Sequence, residues 1–288
     1  MNNYVILVDS ACDISPDLLK EWGVYHKPLH FRFNDSDTEY ADGSVDIKEF
    51  YDKMRAGGVA KTAAVNVEVF SNLFEEHLKS GMDVLYLGFS SGLSTTYNSA
   101  RIAAEQLREK YPDSKILTVD TLAASAGFGL LLYLTVEKKN AGATVEEAAA
   151  FAEATKLNIC HWFTVDDLVY LKRGGRVSAA TALVGTMLAI KPVLHVDNEG
   201  RLINVSKSRG RKASLMALVD QMEKAAIDPR NQTIFISHGD CESDVQIVAD
   251  EIRKRFGTET VHINYVGPVI GSHTGAGVVA LFFVGNQR

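Results

Sequence analysis

The segment Gly88-Phe89-Ser90-Ser91-Gly92-Leu93-Ser94-Thr95-Thr96-Tyr97 places a run of hydroxyls between a short apolar stretch and a helical pattern. Hydroxyls and free backbone N–H groups at a helix start form a natural anion site. A second hydroxyl segment, Lys61-Thr62-Ala63-Ala64, precedes a helix that Asn66 can cap. A third, the glycine-punctuated loop from Gly267 to Gly277, holds His273, and its glycines let backbone approach a ligand closely. Each segment by itself also reads as ordinary capping and turn chemistry.

The first segment also satisfies G-x-S-x-G after a strand, and Ser90, Asp240 and His273 follow in the chain order of an α/β-hydrolase triad. A serine esterase is therefore the enzymatic alternative. Against it, an elbow helix begins directly after its nucleophile, whereas Gly92-Leu93-Ser94 intervene here, and no oxyanion-type glycine cluster precedes the segment. A purely regulatory scaffold that only binds a partner is a third reading. The chain contains no GxxxxGK[ST], which argues against a phosphate-binding kinase. His26, His30, His77 and His262 lack HxxxH or HExxH spacing, so neither a metal nor a cofactor is expected. The basic clusters Lys172 to Arg176 and Lys207 to Lys212 read either as solvated faces or as docking ground for a partner.

Positioning such segments requires a scaffold, and the first half alternates short apolar runs with amphipathic helical patterns, the signature of parallel strands joined by helical crossovers. Strands are predicted at Tyr4 to Val8, Asp83 to Leu87 and Lys115 to Val119. Helices are predicted after Ser15-Pro16, from Asp46 to Arg55, Val67 to Lys79, Thr96 to Lys110, Ala124 to Lys139, and from a Thr144/Glu147 capping box to Lys156. Asp9 and Ser10, at the end of the first strand, are assigned structural duty, although open α/β sheets place ligand crevices there. After about Asn158 the pattern changes. Strands at 159–164, 191–195 and 202–206, with a hairpin turn at Asp197 to Gly200, precede alternating helices (211–225, 243–256) and strands (233–237, 260–265, 278–284). The expectation is a two-domain α/β protein, with a parallel-sheet domain at 1–158 and a mixed-sheet domain at 159–288.

The 288 residues, 46% hydrophobic and 23% charged, suffice for a sizeable core in one large domain or two ordinary ones. A net charge of -6 speaks against broad nucleic-acid binding, which needs a basic face. The opening residues lack the pattern of a secretory signal, and the longest apolar stretches fall far short of the roughly 20 residues of a spanning helix. Three cysteines, widely spaced and odd in number, fit a reducing compartment. A cytoplasmic protein without an integral membrane segment is expected.

Several motifs in order along nearly the whole chain resemble the DegV family of fatty-acid-binding proteins. They are Val8-Asp9-Ser10 with Asp13, Lys61-Thr62, Ser90-Ser91-Gly92-Leu93-Ser94, Asp167 to Arg176, Ile190-Lys191-Pro192-Val193-Leu194, and Gly267 to Gly277. The resemblance implies a carboxylate site at Thr62, Ser94 and the backbone N–H of Thr95, with His273 beside it and the acyl chain buried in the C-terminal domain. It implies further that the bound acid is presented to a separate fatty acid kinase for acyl-phosphate formation, with Arg176 and Arg209 helping partner or phosphate to dock. In this reading the chain is a carrier and not an enzyme. It departs from the family pattern at Ala63-Ala64-Val65, where Ser-Gln-Pro is usual, at Thr95 for a usual glycine, and at Ala276 for a common proline. The physics of such a site is coherent: about sixteen carbons at roughly 0.8 kcal/mol per buried methylene supply about 10 kcal/mol before entropic costs. The carboxylate cannot be buried unpaired, and hydroxyls, helix-start amides and His273 would replace its water.

Overall fold

The capped helical patterns and apolar runs fold as alternating strands and helices in a computed structural model that describes residues 3–177 and 189–288. The chain opens with β1 (Tyr4–Asp9), α1 (Pro16–Glu21) and β2 (Val24–Lys27), followed by β3 (His30–Phe33), β4 (Tyr40–Ala41), α2 (Ile47–Arg55) and β5 (Ala60–Ala63). Next come α3 (Val67–Leu78), β6 (Asp83–Gly88), α4 (Thr96–Lys110), β7 (Ile116–Asp120), α5 (Ser125–Asn140) and α6 (Val145–Thr155). The remainder holds β8 (Ile159–Thr164), α7 (Val169–Gly174), β9 (Ile190–Val196), β10 (Leu202–Arg209), α8 (Arg211–Ala225) and β11 (Ile234–His238). It closes with α9 (Glu242–Phe256), β12 (Val261–Tyr265), α10 (Pro268–Thr274) and β13 (Val279–Val284).

The N-terminal domain is built on an all-parallel sheet in the order β2-β1-β6-β7. Every residue of β1 and β6 is buried, as expected where helices cover both faces. The caps read from sequence form here. Ser15 accepts from Leu18 N, Asp46 from Lys48 N and Glu49 N, Asn66 from Val69 N, and Thr144 and Glu147 close a reciprocal capping box. The C-terminal domain carries a sheet ordered β10-β9-β8-β13-β11-β12, in which only β11 and β12 pair parallel. This is the mixed sheet expected of the second half.

Strand alternation divides this sheet into two faces with different neighbours. Val279, Leu281 and Phe283 of β13 join Cys160 in a core with Leu215 and Val219 of α8 and Val245 and Ile252 of α9. Val278, Ala280 and Phe282 face the other way, toward α5 and the N-terminal domain. Helix α5 lies between the domains and is buried almost all round, so no amphipathic stripe marks it. Gly129 admits Ile14, since a Cβ there would stand 2.5 Å from Ile14 Cδ1.

One segment differs from expectation, and two others, to which no element was assigned in sequence, acquire one. The Gly267 to Gly277 stretch, expected as a loop, contains the helix α10 from Pro268 to Thr274, with proline at its first turn and Gly275 (φ +77°) closing it. Gly271 disguises that helix in sequence; it is required because a Cβ there would stand 2.7 Å from the Tyr51 hydroxyl. Lys61 and Thr62 lie in β5, part of an antiparallel β4-β3-β5 sheet whose short strands carry too little alternation to be seen. Tyr170 to Arg173 lie in α7, stopped by Gly175 in the left-handed conformation (φ +68°).

Candidate functional site

Between the N-terminal end of α5, helices α7 and α10, and the inner face of β8 and β13 lies a cavity of about 380 Å³. That volume falls within the range of small-molecule sites. Its walls are mostly apolar, with Leu171, Phe163, Val266, Val269, Ala280 and Phe282 prominent. Position 278, just ahead of β13, positions 280 and 282 on β13, and 161 and 163 on β8 face the cavity together because side chains alternate along extended chain. That alternation was the signal available in the sequence for the apolar wall, together with the surprise that a histidine, His161, occupies one of its positions.

Thr62, Ser94, Thr95, His273 and Arg176 line the same cavity. Thr62 is delivered by β5, in register with Phe31, and its Oγ1 stands 2.9 Å from His273 Nε2 on α10. His273 Nδ1 is buried without a hydrogen-bond partner among the described residues. Gly174 makes room for it, since a Cβ there would stand 2.3 Å from Nδ1. Ser94 stands two residues ahead of α4: its Oγ accepts from Thr96 N at 3.2 Å and lies 2.9 Å from Thr96 Oγ1. Thr95 is the last residue before that fifteen-residue helix, where the first-turn amides and the positive end of the peptide dipoles favour an anion. The Arg176 guanidinium donates to the carbonyls of Leu93 (3.3 Å) and Gly174 (2.5 Å), tying α7 to the same loop. Arg209 stands apart: it ends β10 opposite Ile190, exposed and outside the cavity wall.

The residues that hold these groups in place are those of the opening motif. Asp9, fully buried, accepts from Phe89 N (2.9 Å), the Tyr86 hydroxyl (2.7 Å) and Ala11 N (3.1 Å), fixing the start of the 88–95 loop. Ser10 donates to Asp42 Oδ2 and accepts from Leu29 N. Asp13 Oδ1 accepts from Gly267 N, the N-cap residue of α10, and the Asp13 carbonyl accepts from Asn264. Tyr51 donates to Val266 O at 2.7 Å. Thus α10 and its His273 are seated by the N-terminal domain.

Burial sets the protonation of this region. It pushes His273 down to about 4, with the nearby Arg176 charge adding to the effect, and pushes Asp9 and Asp42 up to about 6. An unfolded imidazole takes its proton near 6.5. His273 therefore makes stability fall as pH drops from about 6.5 toward 4 and contributes no slope above that window. Asp9 and Asp42 act with the opposite sign, because the folded chain takes their protons first. The expected result is a difference between variant and wild type: on acidification from about pH 6.5 to 4, His273→Gln is more stable relative to wild type than it is at pH 8, when denaturation midpoints are compared between pH 4 and 8. A lipid-free imidazole signal titrating near 4 in NMR identifies the group.

A family model described as an uncharacterised protein of the DegV family matches residues 3–286. The chain belongs to the DegV family. A DegV domain-containing protein of Clostridium perfringens is 44% identical to it over 100% of this chain and 99% of its own. Among solved structures, a DegV lipid binding protein from Thermotoga maritima is similar at 30% identity and a TM-score of 0.85, covering 99% of both chains. A DegV family protein from Thermus thermophilus, described for its fatty acid binding, is similar at 28% identity and a TM-score of 0.87, covering 98% of this chain and 99% of that one. Solved DegV proteins thus include fatty-acid binders.

In this DegV chain the residues of the esterase alternative do not meet. Ser90 is fully buried, donates to Gly200 O (2.8 Å) and accepts from Gly92 N (3.2 Å), so its hydroxyl serves the turn. Asp240 binds Arg55 at 2.6 Å, and His273 contacts Thr62. The hydrolase reading therefore finds no support in the geometry: the Ser90 hydroxyl is engaged by Gly200 O and Gly92 N, and neither His273 nor Asp240 is among its partners. Ser90→Ala is expected to cost about 1–2 kcal/mol of stability, read by chemical denaturation, and to leave ester turnover absent as in wild type. No helix among the described residues is long and apolar enough to cross a membrane.

Proposed function

We propose that this chain binds a long-chain fatty acid and presents its carboxylate to a separate fatty acid kinase, which forms the acyl phosphate. The observation that carries the reading is an apolar cavity ending in a polar cluster of Thr62, Ser94, Thr95 and His273. An acyl chain in such a cavity gains roughly 0.8 kcal/mol per buried methylene. Its carboxylate accepts from the Thr62 and Ser94 hydroxyls and the Thr95 N–H, with His273 alongside. One carboxylate oxygen stays open to the partner, and Arg176 and Arg209 offset phosphate charge at the docking face. The chain is then a non-enzymatic carrier of phospholipid metabolism in the cytoplasm, its nucleotide and metal belonging to the partner. The division at 158/159 separates a domain that supplies Thr62, Ser94 and Thr95 from one that supplies His273 and most of the acyl wall.

Native mass spectrometry of the purified protein, with solvent extraction, tests the lipid half of this reading. A stoichiometric long-chain fatty acid supports it; an empty protein that also takes up no added acid overturns it. The kinase half is tested by acyl-phosphate formation with a fatty acid kinase and ATP, with Arg209→Ala expected to block transfer while lipid stays bound. Undiminished transfer in that variant would remove Arg209 from the docking face.

A further inference from the structure

The two hydroxyls at the polar end of the cavity are held in different ways. Thr62 Oγ1 faces His273 Nε2, a nitrogen that donates or accepts according to its tautomer, so the Thr62 proton can turn either way. Ser94 is held by Thr96 at two points: its Oγ accepts from Thr96 N at 3.2 Å and lies 2.9 Å from Thr96 Oγ1. Either hydroxyl can donate in the second contact, and burial decides between them. Thr96 is 0% exposed, and Ser94 Oγ is the only partner of its hydroxyl among the described residues. A buried hydroxyl whose proton meets no acceptor is costly, so Thr96 is the donor. Ser94 is half-buried and lines the cavity, where its own proton meets a ligand or water.

The direction of that one bond sets what Ser94 can offer. A serine oxygen has two lone pairs and one proton. Thr96 engages both lone pairs, one with its N–H and one with its hydroxyl, so only the proton is left for whatever enters the cavity. Accepting two hydrogen bonds also polarises the Ser94 O–H and strengthens it as a donor. The neighbouring Thr95 N–H, at the start of the fifteen-residue α4, is a donor and nothing else. Two such groups match an ionised carboxylate, which only accepts. A headgroup that must place a proton of its own, such as a primary amide or an alcohol, finds no acceptor at either of them.

We propose that Thr96, which need not touch the ligand, is a positioning residue that commits Ser94 to donation and so makes the site selective for an ionised carboxylate over the amide or alcohol of the same chain. This rests on the fatty-acid reading above. Calorimetric titration of the wild type at neutral pH with decanoic acid, decanamide and decan-1-ol is expected to show the acid bound at least about tenfold more tightly than the other two, the worth of one hydrogen bond to a charged group. Thr96→Val keeps the buried shape and frees a lone pair on Ser94. It should bind decanoic acid about fivefold more weakly and the amide no more weakly than wild type, so that the preference collapses. Thr96→Ser should restore it, and Thr96→Ala carries the same expectation as valine where valine prevents folding. A wild type that binds the amide as tightly as the acid overturns the proposal without recourse to any variant. A folded Thr96→Val or Thr96→Ala protein that keeps the full preference, or weakens toward acid and amide alike as a merely structural role would require, overturns it also. A wild type that binds none of the three, nor stearic acid, defeats the fatty-acid reading itself.

Discussion

Replacing Thr62 and Ser94 together by alanine is expected to lower fatty-acid affinity on the order of a hundredfold or more, since each hydrogen bond to a charged group is worth about 1.5–3 kcal/mol. Both hydroxyls line the cavity, and the loss compounds because a half-desolvated carboxylate has no water to fall back on. Thr62 has a second effect: its contact with His273 Nε2 fixes the imidazole beside the anion. Ser94 Oγ also accepts from Thr96 N at the start of α4, so the double variant should lose about 1 kcal/mol of stability, far less than the loss in binding. Isothermal titration with stearic acid, alongside chemical denaturation, separates the two. Retention of near wild-type affinity in the folded variant would remove these hydroxyls from the ligand site. Thr62→Val, which keeps the shape and deletes the hydroxyl, should show the binding loss without losing the Ser94–Thr96 contact.

Filling the cavity from its wall should have an effect of similar size through apolar contact alone. Ala280 faces the cavity from β13, paired with Phe163 on one side and Ser237 on the other. A phenyl ring there enters empty space and leaves the packed core on the opposite face of the sheet intact, so Ala280→Phe should fold with an unchanged or raised unfolding midpoint. Its ring occupies room needed by the deeper part of a long chain. Excluding about four methylenes at roughly 0.8 kcal/mol each predicts a loss of about a hundredfold for stearic acid. Decanoic acid, which needs less depth, should bind almost as it does to wild type. Equal losses for both acids would place the acyl chain elsewhere.

The strands and helices of the parallel sheet were legible because their signals are local. Ser15-Pro16, Asp46, Asn66 and the Thr144/Glu147 box announce helix starts by side-chain chemistry that operates over three residues, and each cap forms. The apolar runs of β1 and β6 betray strands buried on both faces. The short strands around Phe31 and Thr62 were not legible, because a four-residue strand pairs through backbone and gains its place from distant partners. Helix α10 was hidden by Gly271, a residue selected for contact with Tyr51 and not for helix propensity. The candidate anchors Thr62, Ser94, Thr95 and His273 and the docking candidate Arg176 were named through the family resemblance, whereas His161 was not, since a histidine on a strand face looks like any core residue until its hydrogen bonds are traced.

By itself the sequence determined the alternating α/β architecture, the change of sheet type in the second half and the helix that follows the hydroxyl loop, all consequences of period, caps and turns acting within a few residues. Only the tertiary structure decided that Thr62 meets His273 across 211 positions, that Asp13 seats α10 from across the domain interface, and that Ser90 is consumed by the Gly200 carbonyl. Those contacts join chain segments whose meeting depends on how two sheets and the helix between them pack, and packing is a property of the whole core, which no local pattern encodes.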